Sequence, residues 1–254
     1  MSAPVLRVAK ASCAPGLQPR IRALARAVNG RGRAALAPES EPDNVEGVRR
    51  GLFISLEGGE GAGKSTQLRR LADRLAARGE VVVTREPGGS PGAETIRGLL
   101  VTGEVDRWSP ISETLLMYAA RRDHIERTIT PALARGATVL CDRFFDSTRA
   151  YQGAGGAAPP ELIAALERHV VGAVRPDLTL ILDLPVETGL ARAAARGEGE
   201  ARFEAKGRAF HERLRAAFLA IAAAEPQRCM VIDADATPDV VEARIWATVE
   251  ARLS

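Results

Sequence analysis

Residues 58–65 read Gly-Gly-Glu-Gly-Ala-Gly-Lys-Ser, a full match to G-x-x-x-x-G-K-[ST]. Each part of that spacing has a chemical reason. Glycines let the backbone take positive φ and turn successive N–H groups onto an anion. A helix that starts at the lysine adds the positive end of its dipole. Lys64 brings a cation within reach of β- and γ-phosphates, and Ser65 offers a hydroxyl to Mg²⁺. Gly58, Gly59, Glu60, Gly61, Ala62, Gly63, Lys64, Ser65 and Thr66 are therefore the candidate nucleoside triphosphate loop. The loop by itself does not separate a kinase from a GTPase or a motor.

Glu60 is out of place in such a turn, because a carboxylate there repels a phosphate. It belongs either if it accepts a hydrogen bond from another substrate group or if it points to solvent. Two further clusters carry chemistry. The run Thr138–Cys141 leads into Asp142-Arg143-Phe144, with Ser147, Thr148, Tyr151 and Gln152 close behind. An Asp at the end of a hydrophobic strand is placed to hold Mg²⁺ or its waters, so Ser65 and Asp142 are the metal candidates. Arg143 beside it can bridge two phosphates; the plainer alternative is a structural ion pair. The second cluster is Arg192, Arg196, Arg202, Lys206 and Arg208, around Gly197, Gly199 and Gly207. A basic stretch flanked by glycines suits a lid over a triphosphate, and a solvated connection is the alternative.

These groups need a frame. Apolar runs predict strands over Leu52–Leu56, Val81–Thr84, Thr138–Cys141, Leu178–Leu184 and Met230–Ile232. Helical spacing predicts Lys64–Arg78, Ala93–Leu100, Ile111–Arg127, Pro160–Val171, Pro185–Arg196, Gly207–Ala224 and Pro238–Arg252. Gly153–Pro160 and Arg196–Gly207 read as loops. Alternation of this kind implies a parallel sheet covered on both faces, with ligands at the carboxyl ends of its strands.

Composition bounds the rest. The chain has 254 residues and 46% hydrophobic content, enough for a sizeable core. No run of about 18 apolar residues exists, so no membrane span is expected. Cys13, Cys141 and Cys229 show neither metal spacing nor a disulfide framework, which fits a reducing compartment. The first 50 residues hold nine of the 35 basic and four of the 32 acidic residues, which leaves the remainder at net −2. The high pI is thus a property of the leader and gives no reason to expect nucleic-acid binding by the body. Residues 1–48 are rich in Arg, Ala and Pro. They read as a disordered or dispensable leader, with an organelle transit peptide or a misplaced start codon as alternatives.

Taken together, Glu57–Thr66, Thr84–Gly89 (TREPGG), Asp142-Arg143-Phe144, Ala150–Gly153 (AYQG), Arg175–Leu178 (RPDL) and the basic lid resemble the thymidylate kinase family over residues 51–253. The resemblance implies a P-loop nucleoside monophosphate kinase fold, α/β, with a five-stranded parallel sheet flanked by helices. It implies transfer of the γ-phosphoryl group of ATP to dTMP, giving dTDP for dTTP synthesis, with Mg²⁺, in a cytoplasmic homodimer. By the same likeness Glu60 meets the 3′-hydroxyl, Arg97 and Arg143 hold the acceptor phosphate, and Arg121, Thr148 and Gln152 face thymine. Tyr151 packs on the deoxyribose. Gly61 takes the place where one branch of the family carries an arginine; with a basic lid this chain resembles the other, bacterial-type branch, with Arg196 and Arg202 as catalytic lid residues beside Lys64 and Arg143. Met117 stands where relatives present phenylalanine to the base, which implies weaker base affinity or looser selectivity. Tyr118 is the alternative ring. Asp233-Ala234 lies where a purine would sit. Two rival functions remain at this stage: another deoxynucleoside monophosphate kinase, and a nucleotide-dependent switch.

Overall fold

The computed structural model describes residues 50–104, 106–196 and 206–253. The leader, Arg202 and the rest of the 197–205 stretch lie outside those residues, as does the Arg196 side chain. The sheet has five strands in the order β2-β3-β1-β4-β5, all parallel: β1 Phe53–Glu57, β2 Val81–Arg85, β3 Thr138–Asp142, β4 Leu178–Asp183 and β5 Cys229–Asp233. Central β1 is buried throughout and β4 nearly so, whereas edge strands β2 and β5 are partly exposed.

The two-residue period of the strands sorts side chains between the faces. Ile54, Leu56, Leu140, Leu180 and Leu182 face one layer, where helix α1 (Lys64–Leu75) and the C-terminal helix pack. In α1 the buried Leu68, Leu71 and Leu75 recur at helical spacing, which explains why this segment lies flat on the sheet. Phe53, Val139 and Cys141 face the other layer with Phe144, Phe145, Tyr118 and Ile129.

The remaining helices are α2 Pro91–Val101, α3 Pro110–His124, α4 Thr130–Ala134, α5 Phe145–Thr148, α6 Pro160–Leu166, α7 Val186–Arg196, α8 Arg208–Ala224 and α9 Pro238–Leu253. Differences from the sequence expectation are local. The expected helix ending at Arg127 runs on through a π turn, Ile125–Ile129, into α4. The π turn comes just before Pro131, whose ring and missing N–H a regular helix interior would not accept. A short helix and a second π turn, Arg149–Ala154, follow β3, so the loop expected from Gly153 begins later. Among the described residues no helix is long and apolar enough to cross a membrane.

Candidate active site

The last residues of the five strands are Glu57, Arg85, Asp142, Asp183 and Asp233, so one edge of the sheet is lined with charge. β1 passes there into the glycine loop. Gly58, Gly61 and Gly63 have φ of 131°, 69° and 89°, and Gly63 caps α1. Thr66 sits in the first turn, its N–H bonded to Gly63 O at 3.1 Å. Lys64 is buried and donates to the carbonyls of Gly58 (3.2 Å) and Gly59 (2.9 Å), which holds the ammonium within the loop. Burial lowers its pKa, as does the Arg143 charge, against the pull of Glu60 and Asp142. The Ser65 hydroxyl donates to Asp142 Oδ2 at 2.8 Å, so the two metal candidates are adjacent.

The loop is also clamped from behind. A Cβ on Gly61 would lie 2.0 Å from Gly189 O, and one on Gly189 would lie 2.5 Å from Glu60 O. The first turns of α7 therefore rest on the loop backbone to backbone, with no room for a side chain on either partner.

Across from the loop, a cleft is walled by Met117, Arg121, Arg143, Thr148, Tyr151 and Gln152, among others. Arg143 joins the two regions. Its Nη1 donates to Gly58 O (3.0 Å) and Ser147 Oγ (3.3 Å), and its Nη2 to Glu60 Oε1 (3.0 Å). Tyr151 donates to the same Glu60 oxygen at 2.6 Å, and its ring lies under the Arg143 guanidinium. Burial alone would push the Glu60 pKa up. The positive charges of Arg143 and Lys64 and the Tyr151 hydrogen bond bring it down to about 2, so the group is a carboxylate. Glu60 thus faces inward, and of the two explanations for its presence solvent exposure is removed.

One end of the cleft rests on α3, where Glu113, Met117 and Arg121 recur every four residues on one stripe. Arg121 is buried; its Nε donates to Glu86 Oε2 at 2.7 Å and its Nη2 to Phe144 O and Thr148 Oγ1 at 3.2 and 3.1 Å. Its Nη1 is buried without a hydrogen-bond partner. Burial works against the Arg121 charge, and Glu86 and Tyr118 more than restore it. Glu86 also meets His124 Nδ1 at 2.9 Å, and His124 Nε2 meets Thr84 Oγ1 at 2.7 Å. Gln152 donates to Glu113 Oε1 at 2.9 Å. Tyr118 is buried in the core with its hydroxyl near Ile163 O, so the ring at this position is not offered to the cleft. Arg97 does not form the wall itself; it donates to the carbonyl of Pro87, which does, at 2.7 Å.

Of the basic cluster, Arg192 reaches Ala234 O at 3.3 Å beyond β5, and Arg208 pairs with Glu187. Arg196 is the last residue of α7. Sequence reasoning named neither Glu86 and His124 nor Glu57 and Glu113 as individual site groups. Their signal was a charge at a strand end or on the apolar stripe of α3.

A family model described as Thymidylate kinase matches residues 56–245. The chain belongs to the thymidylate kinase family. A thymidylate kinase of Caulobacter vibrioides is 73% identical over 207 residues, 81% of this chain and 99% of that protein. One of Bradyrhizobium diazoefficiens is 57% identical, covering 80% of this chain and 91% of that relative. Among solved structures, the thymidylate kinase of Ehrlichia chaffeensis superposes with a TM-score of 0.64 at 34% identity, over 79% of this chain and 99% of that one. The five-stranded parallel sheet and the glycine loop described above are those of this P-loop kinase family.

Proposed function

We propose that the chain transfers the γ-phosphoryl group of ATP to the 5′-phosphate of dTMP, giving dTDP and ADP, with the loop of residues 58–66 as donor site and the cleft on α3 as acceptor site. The observation that carries this reading is Arg143: its guanidinium is bonded to the donor loop at Gly58 and Glu60, while the same residue walls the acceptor cleft beside Met117, Arg121 and Tyr151. The attacking phosphate oxygen is already anionic, so no strong general base is required. What the chain supplies is alignment and neutral surroundings for charge on the transferred group, from Lys64 on the donor side and Arg143 between the sites. Arg196 and Arg202 complete the set from the lid, and Arg192 with Ala234 marks the purine end.

On the acceptor side, Arg97 holds the phosphate with Arg143. Arg121 offers its unpartnered Nη1 to a carbonyl of the base, with Thr148 and Gln152 beside it. Met117 lies against the base through its polarizable thioether. Tyr151 packs on the sugar, where a 2′-hydroxyl would clash, and Glu60 accepts from the 3′-hydroxyl. Mg²⁺ fits Ser65 and Asp142, which would hold it: both donors are oxygens, the ligand type this ion takes, and they lie 2.8 Å apart. When bound, the ion neutralises charge on the β- and γ-phosphates.

The test is ADP release with a panel of monophosphates (dTMP, dUMP, dCMP, dGMP), run on the full chain and on residues 51–254. dTMP is expected to be the preferred acceptor for both forms, since 207 residues suffice to align with 99% of the Caulobacter relative. ATP consumption that ignores dTMP would remove the acceptor site and favour a switch. We also propose a homodimer through α2 and α3, which leave Leu99, Ile111 and Leu115 exposed; sedimentation at the monomer mass would exclude it.

A further inference from the structure

Arg143 has φ +69°, a left-handed conformation that a residue with a side chain adopts only when its surroundings hold it there. Its own N–H stays in register with the sheet and donates to Leu56 O at 2.9 Å. The next N–H, of Phe144, is turned out of the strand and donates instead to Glu57 Oε1 at 2.7 Å. The other carboxyl oxygen of Glu57 accepts the Ser147 hydroxyl at 2.6 Å, and that hydroxyl oxygen accepts from Arg143 Nη1 at 3.3 Å. Glu57 therefore grips Arg143 twice, through the backbone on one side and through the side chain on the other.

Both hydrogen bonds described for the Glu57 carboxyl group run to the turn that carries Arg143. Glu57 is 0% exposed and forms no ion pair among those described, and an apolar residue would avoid the cost of its desolvation. Its acidic neighbour Asp146 differs: Arg228 holds it at 2.7 and 3.0 Å, with Arg149 at 3.4 Å. Nor does Glu57 line the acceptor cleft.

We infer that Glu57 is the positioning residue for phosphoryl transfer, holding Arg143 in its left-handed turn so that the guanidinium spans donor and acceptor sites. The inference rests on the bridging role proposed for Arg143. Glu57→Gln keeps the shape but turns an –NH₂ toward one of the two donors, so one arm of the grip is lost. The expected result is a kcat about 3–10-fold lower, the scale of one hydrogen bond to a carboxyl group whose pKa burial and the Asp146 charge raise to about 7. KM for ATP should stay within about two-fold and the thermal midpoint within a few degrees, a split that a structural role alone would not produce. In an Arg143→Ala background the same substitution should be silent in single-turnover measurements, because its target is gone.

Unchanged kcat in Glu57→Gln, or an equal loss in both backgrounds, overturns the inference while leaving Arg143 in its role. Near-normal turnover in Arg143→Ala overturns both. Should Glu57→Gln fail to fold, Ser147→Ala cuts the side-chain arm alone. It is expected to lower kcat about 3–10-fold and to be silent beside Arg143→Ala. Full kcat in that variant overturns the inference.

Discussion

Glu86 is the carboxylate that holds Arg121 in the wall of the cleft, and removing it has a calculable effect. Its side chain is 5% exposed and that of Arg121 is 2% exposed, so the pair is desolvated. Glu86→Ala strips Arg121 Nε and His124 Nδ1 of their partner together and leaves an uncompensated buried cation. Breaking a buried pair in this way costs about 3–5 kcal/mol, a large share of the roughly 5–15 kcal/mol that holds a domain folded. Glu86→Gln is milder for a specific reason. Its amide oxygen can still accept from Arg121 Nε, and its –NH₂ can donate to His124 Nδ1 if the ring proton moves to Nε2, where Thr84 Oγ1 at 2.7 Å accepts it. Its hydrogen bonds are then kept and only the counter-charge is lost, so the cost is expected to fall below the about 3–5 kcal/mol of Glu86→Ala. The readouts are urea unfolding and steady-state kinetics. Both variants should raise KM for dTMP, Glu86→Gln by about 3–10-fold, and leave KM for ATP unchanged, because Arg121 touches only the acceptor cleft. Glu86→Ala with wild-type stability, or a rise in KM for ATP matching that for dTMP, would refute the reasoning.

Met117→Phe should lower KM for dTMP by about 2–10-fold, since a ring adds flat contact of about 0.5–1.5 kcal/mol where a thioether now lies; an unchanged or higher KM in titrations with dTMP contradicts it. For Glu60 the sign follows from a folded pKa of about 2, below the ordinary glutamate value of 4.5. Its contribution, about 3 kcal/mol, is present above pH 4.5 and lost as pH falls toward 2. The stability gap between wild type and Glu60→Gln should therefore narrow from pH 5 toward pH 3 in thermal melts, and a gap independent of pH counts against the assignment. Gly189→Ala puts a methyl group 2.5 Å from Glu60 O and must shift the loop, so KM for ATP should rise about ten-fold or more with dTMP affinity less affected; titration of an ATP analogue measures this.

The strands were legible because apolar runs bounded by glycine have few alternative readings, yet four of their ends were set one residue early. Glu57, Arg85, Asp142 and Asp233 look like loop residues by polarity, and each closes its strand at the charged edge of the sheet. The glycine loop was readable because its spacing is its mechanism. Helix α5 was not, because four residues carry too little period to register. Glu86 and Arg121 lie 35 positions apart, and no local pattern announces that a strand exit and a helix face will meet. Buried acids such as Glu57 and Glu113 are likewise invisible until the partner that admits them into the core is known. The expectation for Tyr151 and Gln152 came from the likeness to a family, and the structure sets both in the wall of one cleft.

The contact between Gly61 and Gly189 has an evolutionary consequence. An arginine grafted at position 61 would need the very space that helix α7 occupies, so such a change alone finds no room without a shift of that helix. A side chain at position 61 and helix α7 in its present place are mutually exclusive on steric grounds, and any larger residue there requires the helix to retreat first.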